Sequence, residues 1–180
     1  KEGFSSGILR MIWGNDNSMF VGMTSRGWSS TGKSDYGLQR LEWTGRVPFE
    51  IKTMKALADG FKLEFTKPIN KKMAADIASY KLTTFNYLYH LTYGSPIVDQ
   101  QTAMIHKAEV SEDGLSVTLT VHGMRLGFIH QLEIPNLRST TGELLLHNTG
   151  YYTLNEVPGG VLKSAQMNEM KTSGKVVNQP

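Results

Sequence analysis

The 180-residue chain contains no cysteine. Disulfides, zinc–thiolate sites, thiol catalysis and covalent haem attachment are therefore excluded within it. The compartment stays open, because periplasmic and cytosolic proteins alike can lack cysteine. No apolar run approaches the roughly 18–20 residues that a membrane-spanning helix needs. Basic runs are missing too. The net charge is only +3, with 16 acidic residues interspersed among 19 basic ones, and Lys71-Lys72 is the densest basic pair. A nucleic-acid partner is not expected from such a balance. The start, Lys1-Glu2-Gly3-Phe4, has neither an initiator Met nor an apolar signal core, and reads as a cut inside a larger polypeptide.

A hydrophobic share of 39% is ordinary for a chain that folds around a core. Apolar runs at residues 8–13 and 19–23, separated by Gly14-Asn15-Asp16-Asn17, predict a β-hairpin. A Gly- and Ser-rich loop follows, and residues 38–43 alternate like a half-buried strand. Thr44-Gly45-Arg46-Val47-Pro48 breaks the pattern and marks a domain boundary. Alternation resumes at residues 49–54 and, behind Asp59-Gly60, at residues 61–65. A single short helix is predicted over residues 71–78, capped by Asn70. Strand character returns over residues 80–91, then residues 99–102 read as loop, and strands are predicted at 104–110, 116–121, 128–134 and 151–154. Many short strands with turn residues between them predict an all-β fold, an Ig-like antiparallel sandwich with one short helix. The predicted division is 1–46 as a hairpin region, 47–158 as the sandwich and 159–180 as a polar tail.

Two resemblances sharpen this reading. The segments Gly60-Phe61-Lys62-Leu63-Glu64-Phe65-Thr66-Lys67-Pro68-Ile69, Ala78-Ser79-Tyr80-Lys81-Leu82, Val110-Ser111-Glu112-Asp113-Gly114-Leu115 and Leu137-Arg138-Ser139-Thr140-Thr141-Gly142-Glu143-Leu144 resemble bacterial Ig-like domains of the S-layer type. The run from Tyr36-Gly37-Leu38-Gln39-Arg40-Leu41-Glu42-Trp43 through Val47-Pro48-Phe49 is similar to a junction in large secreted bacterial proteins. There, a six-bladed propeller of the glucose/sorbosone dehydrogenase (soluble quinoprotein) type precedes an Ig-like domain. Tyr93-Gly94-Ser95-Pro96 and Tyr151-Tyr152-Thr153-Leu154-Asn155 share that similarity. The resemblance implies that residues 7–45 are a partial last propeller blade, and that the parent protein is periplasmic or secreted. It also implies pyrroloquinoline quinone (PQQ) as cofactor of the parent. One partial blade cannot enclose a cofactor channel, so no cofactor is expected on this chain.

Two constellations stand out as ligand-binding candidates. In the loop Arg26-Gly27-Trp28-Ser29, Arg26 offers a fork of donors, Trp28 a stacking face and Ser29 a hydroxyl. A plain inter-strand loop is the favoured explanation. In the strand around Phe85, Tyr87 and Tyr89, residues two apart share a face, and an aromatic row can stack on sugar rings. Packing against the propeller is favoured over saccharide binding there. His90, His106, His122, His130 and His147 show no H-x-H or H-x-x-x-H spacing, and His122 with His130 is the pair considered, so no metal is expected. No G-x-S-x-G elbow or acid pair supports catalysis. The expected function is a non-catalytic accessory domain of a larger quinoprotein-like protein, packing on its propeller. A carbohydrate-binding module is the alternative.

Overall fold

The computed structural model describes residues 3–25 and 32–159. The chain divides into two compact units, Lys1–Val47 and Pro48–Pro180.

The first unit is a three-stranded antiparallel meander. β1 (Ile8–Trp13), β2 (Met19–Thr24) and β3 (Tyr36–Leu41) lie in sequence order. The β1–β2 turn forms because Asn17 adopts a left-handed φ of 63° and Asp16 Oδ1 accepts from the Ser18 hydroxyl and N–H, at 2.7 and 3.1 Å. Arg40 of β3 reaches the other Asp16 oxygen at 2.5 Å. The Ser18 hydrogen bonds, aided by Arg40, hold the Asp16 carboxyl below the usual carboxylate range. Val21 and Met23 on β2 are buried, whereas every side chain of β1 is exposed. β3 ends at Leu41, so Glu42 and Trp43, expected in the strand, lie beyond it.

The second unit is an all-β sandwich made from one bent sheet. Its strands are β4 (Ile51–Leu57), β5 (Gly60–Phe65), β6 (Lys81–Tyr87), β7 (Ile97–Val110), β8 (Ser116–His122), β9 (Ile129–Glu133) and β10 (Thr149–Thr153). They run in the spatial order β10-β9-β6-β7-β8-β5-β4, all antiparallel. β7 makes the bend. Its first half pairs with β6, from Tyr87–Ile97 to Leu82–Ala103, and its second half with β8, from Met104–His122 to Val110–Val117. Residues 99–102, expected as loop, therefore lie inside a strand of 14 residues. Their polarity misleads because this stretch of β7 is solvent-exposed. The outer edges of the two leaves also meet, where the Leu146 N–H donates to the Phe49 carbonyl at 3.0 Å.

The interior follows from alternation. Phe61, Leu63 and Phe65 of β5 point inward, as do Val117, Leu119 and Val121 of β8, Leu82 of β6 and Leu132 of β9. Phe61 packs edge-on to Tyr152, with ring centroids 5.5 Å apart. Gly60 opens β5 because a Cβ there would lie 1.8 Å from the Leu119 carbonyl oxygen. The predicted helix is shorter than expected: α1 (Lys71–Ala75) stops and a 3₁₀ turn (Ile77–Ser79) follows. The break comes at Asp76, which is extended (φ −83°, ψ 115°) and whose carboxylate accepts from the Ala78 N–H. Asn70 caps α1 through Met73 N–H at 3.1 Å. The Tyr80 hydroxyl is buried and donates to the Ala74 carbonyl at 2.7 Å, and its burial pushes its pKa far up.

Phe61 is fully enclosed. Phe61→Ala should cost about 3–5 kcal/mol in urea unfolding, whereas Lys62→Ala, on the same strand but partly exposed, should stay within about 0.5 kcal/mol.

Candidate functional site

Arg26, Trp28 and Ser29 lie outside the described residues. The aromatic candidates do not form one exposed row. Phe85 is buried at 2% exposure, its ring edge-on to Tyr87 at 5.5 Å. β6 ends at Tyr87, so Tyr89 leaves the sheet, and the strand expected to reach residue 91 stops four residues earlier. The physical reason is that Phe85 sits inside the paired sheet, whereas the chain past Tyr87 enters the hairpin tip. The register shift between Thr84–Gln101 and Asn86–Val98 places its extra residue on β7.

What the structure brings together instead is the tip of the β6–β7 hairpin, residues 88–96. The Leu88 N–H closes it by donating to the Pro96 carbonyl at 3.0 Å. Tyr89, Leu91 and Tyr93 are fully exposed there, and Tyr87, Leu88 and Ile97 at its base are about half exposed. No Asp, Glu, Lys or Arg occurs in residues 82–98. An uncharged tip with two bare tyrosine rings and a bare leucine has the character of a contact surface, because tyrosine supplies large amphipathic area with few rotatable bonds.

The root of the hairpin is bolted. Asp99 occupies the register shift with φ 51°, and Arg125 pairs with its carboxylate. Arg125 also donates to the Asp99 carbonyl at 2.7 Å and lies 3.5 Å over the Phe128 ring. The Arg125 side chain is only 11% exposed and the Asp99 side chain 42%, so the bracket between β7 and the loop before β9 is buried on its arginine side. Sequence reasoning missed it, since nothing local links residue 99 to residue 125.

His130 is buried beside that bracket. Its Nε2 accepts from the Arg125 backbone N–H at 3.2 Å, so Nδ1 carries the proton and donates to the Phe128 carbonyl at 3.1 Å. The ring packs on Phe61, with centroids 5.3 Å apart. Burial lowers its pKa, and the nearby Arg125 charge adds to the effect. His130 is therefore a neutral core residue, and the pairing with His122 considered from sequence does not occur.

A shallow open groove runs where β4 and β10 diverge, lined by Glu50, Ile51, Met54, His147, Gly150 and Tyr151 among others. Glu50 accepts from the His147 backbone at 3.1 Å and lies 2.5 Å from its ring nitrogen. The neighbouring hydroxyls are turned elsewhere: Thr53 donates to Glu64 at 2.8 Å and Thr149 to Asn148 at 3.2 Å. The Glu50–His147 pair ties the residue before β4 to the segment before β10. Among the described residues no three His, Asp or Glu side chains gather as metal ligands. In the first unit Arg40 is committed to Asp16 and Glu42.

No family model matches the chain, and no curated protein does. Among solved structures, the N-terminal part of the bacterial S-layer protein SbsC is similar at 22% identity and a TM-score of 0.46, over 61% of this chain and 24% of that one. A longer piece, rSbsC(31-844), gives the same identity and TM-score over 14% of its length. The chain thus spans less than a quarter of these structures. The functional reading rests on its own side chains.

The buried His130 makes stability pH-dependent. Its folded pKa lies below the ordinary value of 6.5, so the unfolded chain binds more protons below that pH. Stability should be full above about pH 7, decline as pH falls through the ordinary histidine range, and level off below the depressed folded value. Urea titrations should show this step, and His130→Gln should remove it.

Proposed function

We propose that the chain is a non-catalytic accessory domain of a larger secreted or cell-surface bacterial polypeptide, docking through the 88–96 hairpin tip. The carrying observation is the complete exposure of Tyr89, Leu91 and Tyr93 on a tip without charges. A tip this apolar is rarely left in water without purpose. The proposed occupant is the propeller of the parent, whose last blade would include β1, β2 and β3. Their antiparallel meander and the exposed apolar β1 edge support that reading, since an edge unpaired among the described residues, with Ile8, Leu9, Met11, Ile12 and Trp13 bare, invites another strand. The proposed division of labour leaves cofactor chemistry, PQQ-dependent or otherwise, to the parent.

Saccharide binding is the second reading, favoured by the bare rings of Tyr89 and Tyr93. Tyr87 and Tyr89 remain its candidate contacts, while Phe85 is too deeply enclosed to touch a sugar.

Amide hydrogen exchange on residues 86–97 separates the readings. In the longer polypeptide the tip should exchange at least tenfold more slowly than in this chain alone. The isolated chain should reduce no dye with aldose and added PQQ, and should run unretarded in gels containing soluble polysaccharide. Equal exchange in both contexts, or aldose-dependent dye reduction, contradicts the docking reading. Retardation that is lost in Tyr89→Ala would establish the saccharide reading in its place.

A further inference from the structure

β7 carries a second irregularity. Its register against β8 shifts between Ile105–Val121 and Lys107–Thr120, and His106 is the residue at the shift. There His106 meets His122, with ring centroids 5.9 Å apart and planes inclined at 69°. Both side chains are exposed. Met104, the direct cross-strand partner of His122, is 60% exposed on the same stretch. Among the described residues neither ring is engaged by a hydrogen bond or an ion pair, unlike His130 and His147, whose nitrogens have partners.

We infer that His106 and His122 form a two-imidazole site for a divalent transition-metal ion, copper before zinc, with the Met104 thioether as the adjacent soft donor. The spacing suits it. A metal–imidazole bond of about 2.0–2.1 Å puts each ring centroid about 3.2 Å from the ion, so rings sharing one ion have centroids about 5–6 Å apart. The rings meet edge-on, so rotation about their exposed side-chain torsions turns a nitrogen of each toward the shared ion. Two imidazoles bind first-row ions in the order that peaks at copper, and a thioether adds preference for Cu(I). Among the described residues no carboxylate cluster is present to favour calcium or magnesium. Water would complete the coordination. The inference is independent of the docking role.

The test is a titration of the tag-free chain, its amino terminus acetylated, with Cu(II), followed by electron paramagnetic resonance and by paramagnetic broadening of the histidine ring signals. One ion per chain should bind, broadening His106 and His122 before His90 and His147. His106→Ala and His122→Ala should each weaken binding at least tenfold with unchanged far-ultraviolet circular dichroism. Zn(II) should bind more weakly than Cu(II), and Met104→Leu should weaken Cu(I) at least fivefold. Affinity within twofold of the parent in both histidine variants, or broadening that begins at His90 or His147, overturns the site. Should either alanine variant misfold, His106→Gln supplies the same comparison with strand-compatible polarity.

Discussion

The one constraint on which this molecule depends is the transfer of β7 from β6 to β8. A single strand of 14 residues belongs to both leaves, and that sharing folds a seven-stranded sheet over one interior. Ala103 and Ile105, at the hand-over, are buried against the same cluster as Phe61, Leu119 and Leu132. Fourteen residues of twisted strand exceed what one leaf of this size can pair, so the excess must either fray or serve a second partner. The irregularities that accompany the transfer decide where the polar chemistry goes. The shift near Asp99 sets that residue under Arg125, and the shift at His106 turns an imidazole toward His122. Bulges re-aim side chains, and both surface features argued above sit on one.

Most of the fold was legible in the sequence. Alternation at residues 61–65 and 116–121, with Asp59-Gly60 and Asp113-Gly114 as turns, points to the β5 and β8 hairpins, and both turns occur. Gly114 takes a left-handed φ of 68°, as the Asp-Gly signal requires. Asn70 announces the start of α1, but the pattern places Asp76 inside the helix, whereas its side chain stabilises an extended residue. The first half of β7 is hidden from the pattern because Asp99, Gln100, Gln101 and Thr102 are polar. Exposure on both faces removes the apolar period that marks a strand. The candidate site was legible only in part. The spacing puts Phe85, Tyr87 and Tyr89 in one row, whereas burial separates them: Phe85 is enclosed, Tyr87 half exposed and Tyr89 bare. Strand register is a tertiary property, and neither the Arg125–Asp99 bracket nor the His106–His122 pair leaves a local trace.

The distribution of side chains commits both the interior and most ion pairs to architecture. Its interior is filled by Phe, Leu, Ile and Val, and its one buried imidazole has both nitrogens occupied. The remaining carboxylates with lowered pKa values, Asp16, Glu64, Asp113 and Glu143, owe them first to hydroxyl or lysine partners at the surface, and brace turns and strand pairs. Glu143 with Lys67, at 2.7 Å, ties the turn before β10 to the segment after β5. Charge is thereby spent on architecture, while the uncharged hairpin projects from the end where β6 and β7 part.

Site-resolved amide exchange along β7 tests the shared-strand account directly. If both leaves depend on this strand, the paired amides within residues 98–110 should open only with global unfolding, at one common free energy, although the strand changes partner midway. Protection of residues 104–110 at the global level, with residues 98–103 opening separately alongside β6, β9 and β10, would contradict it.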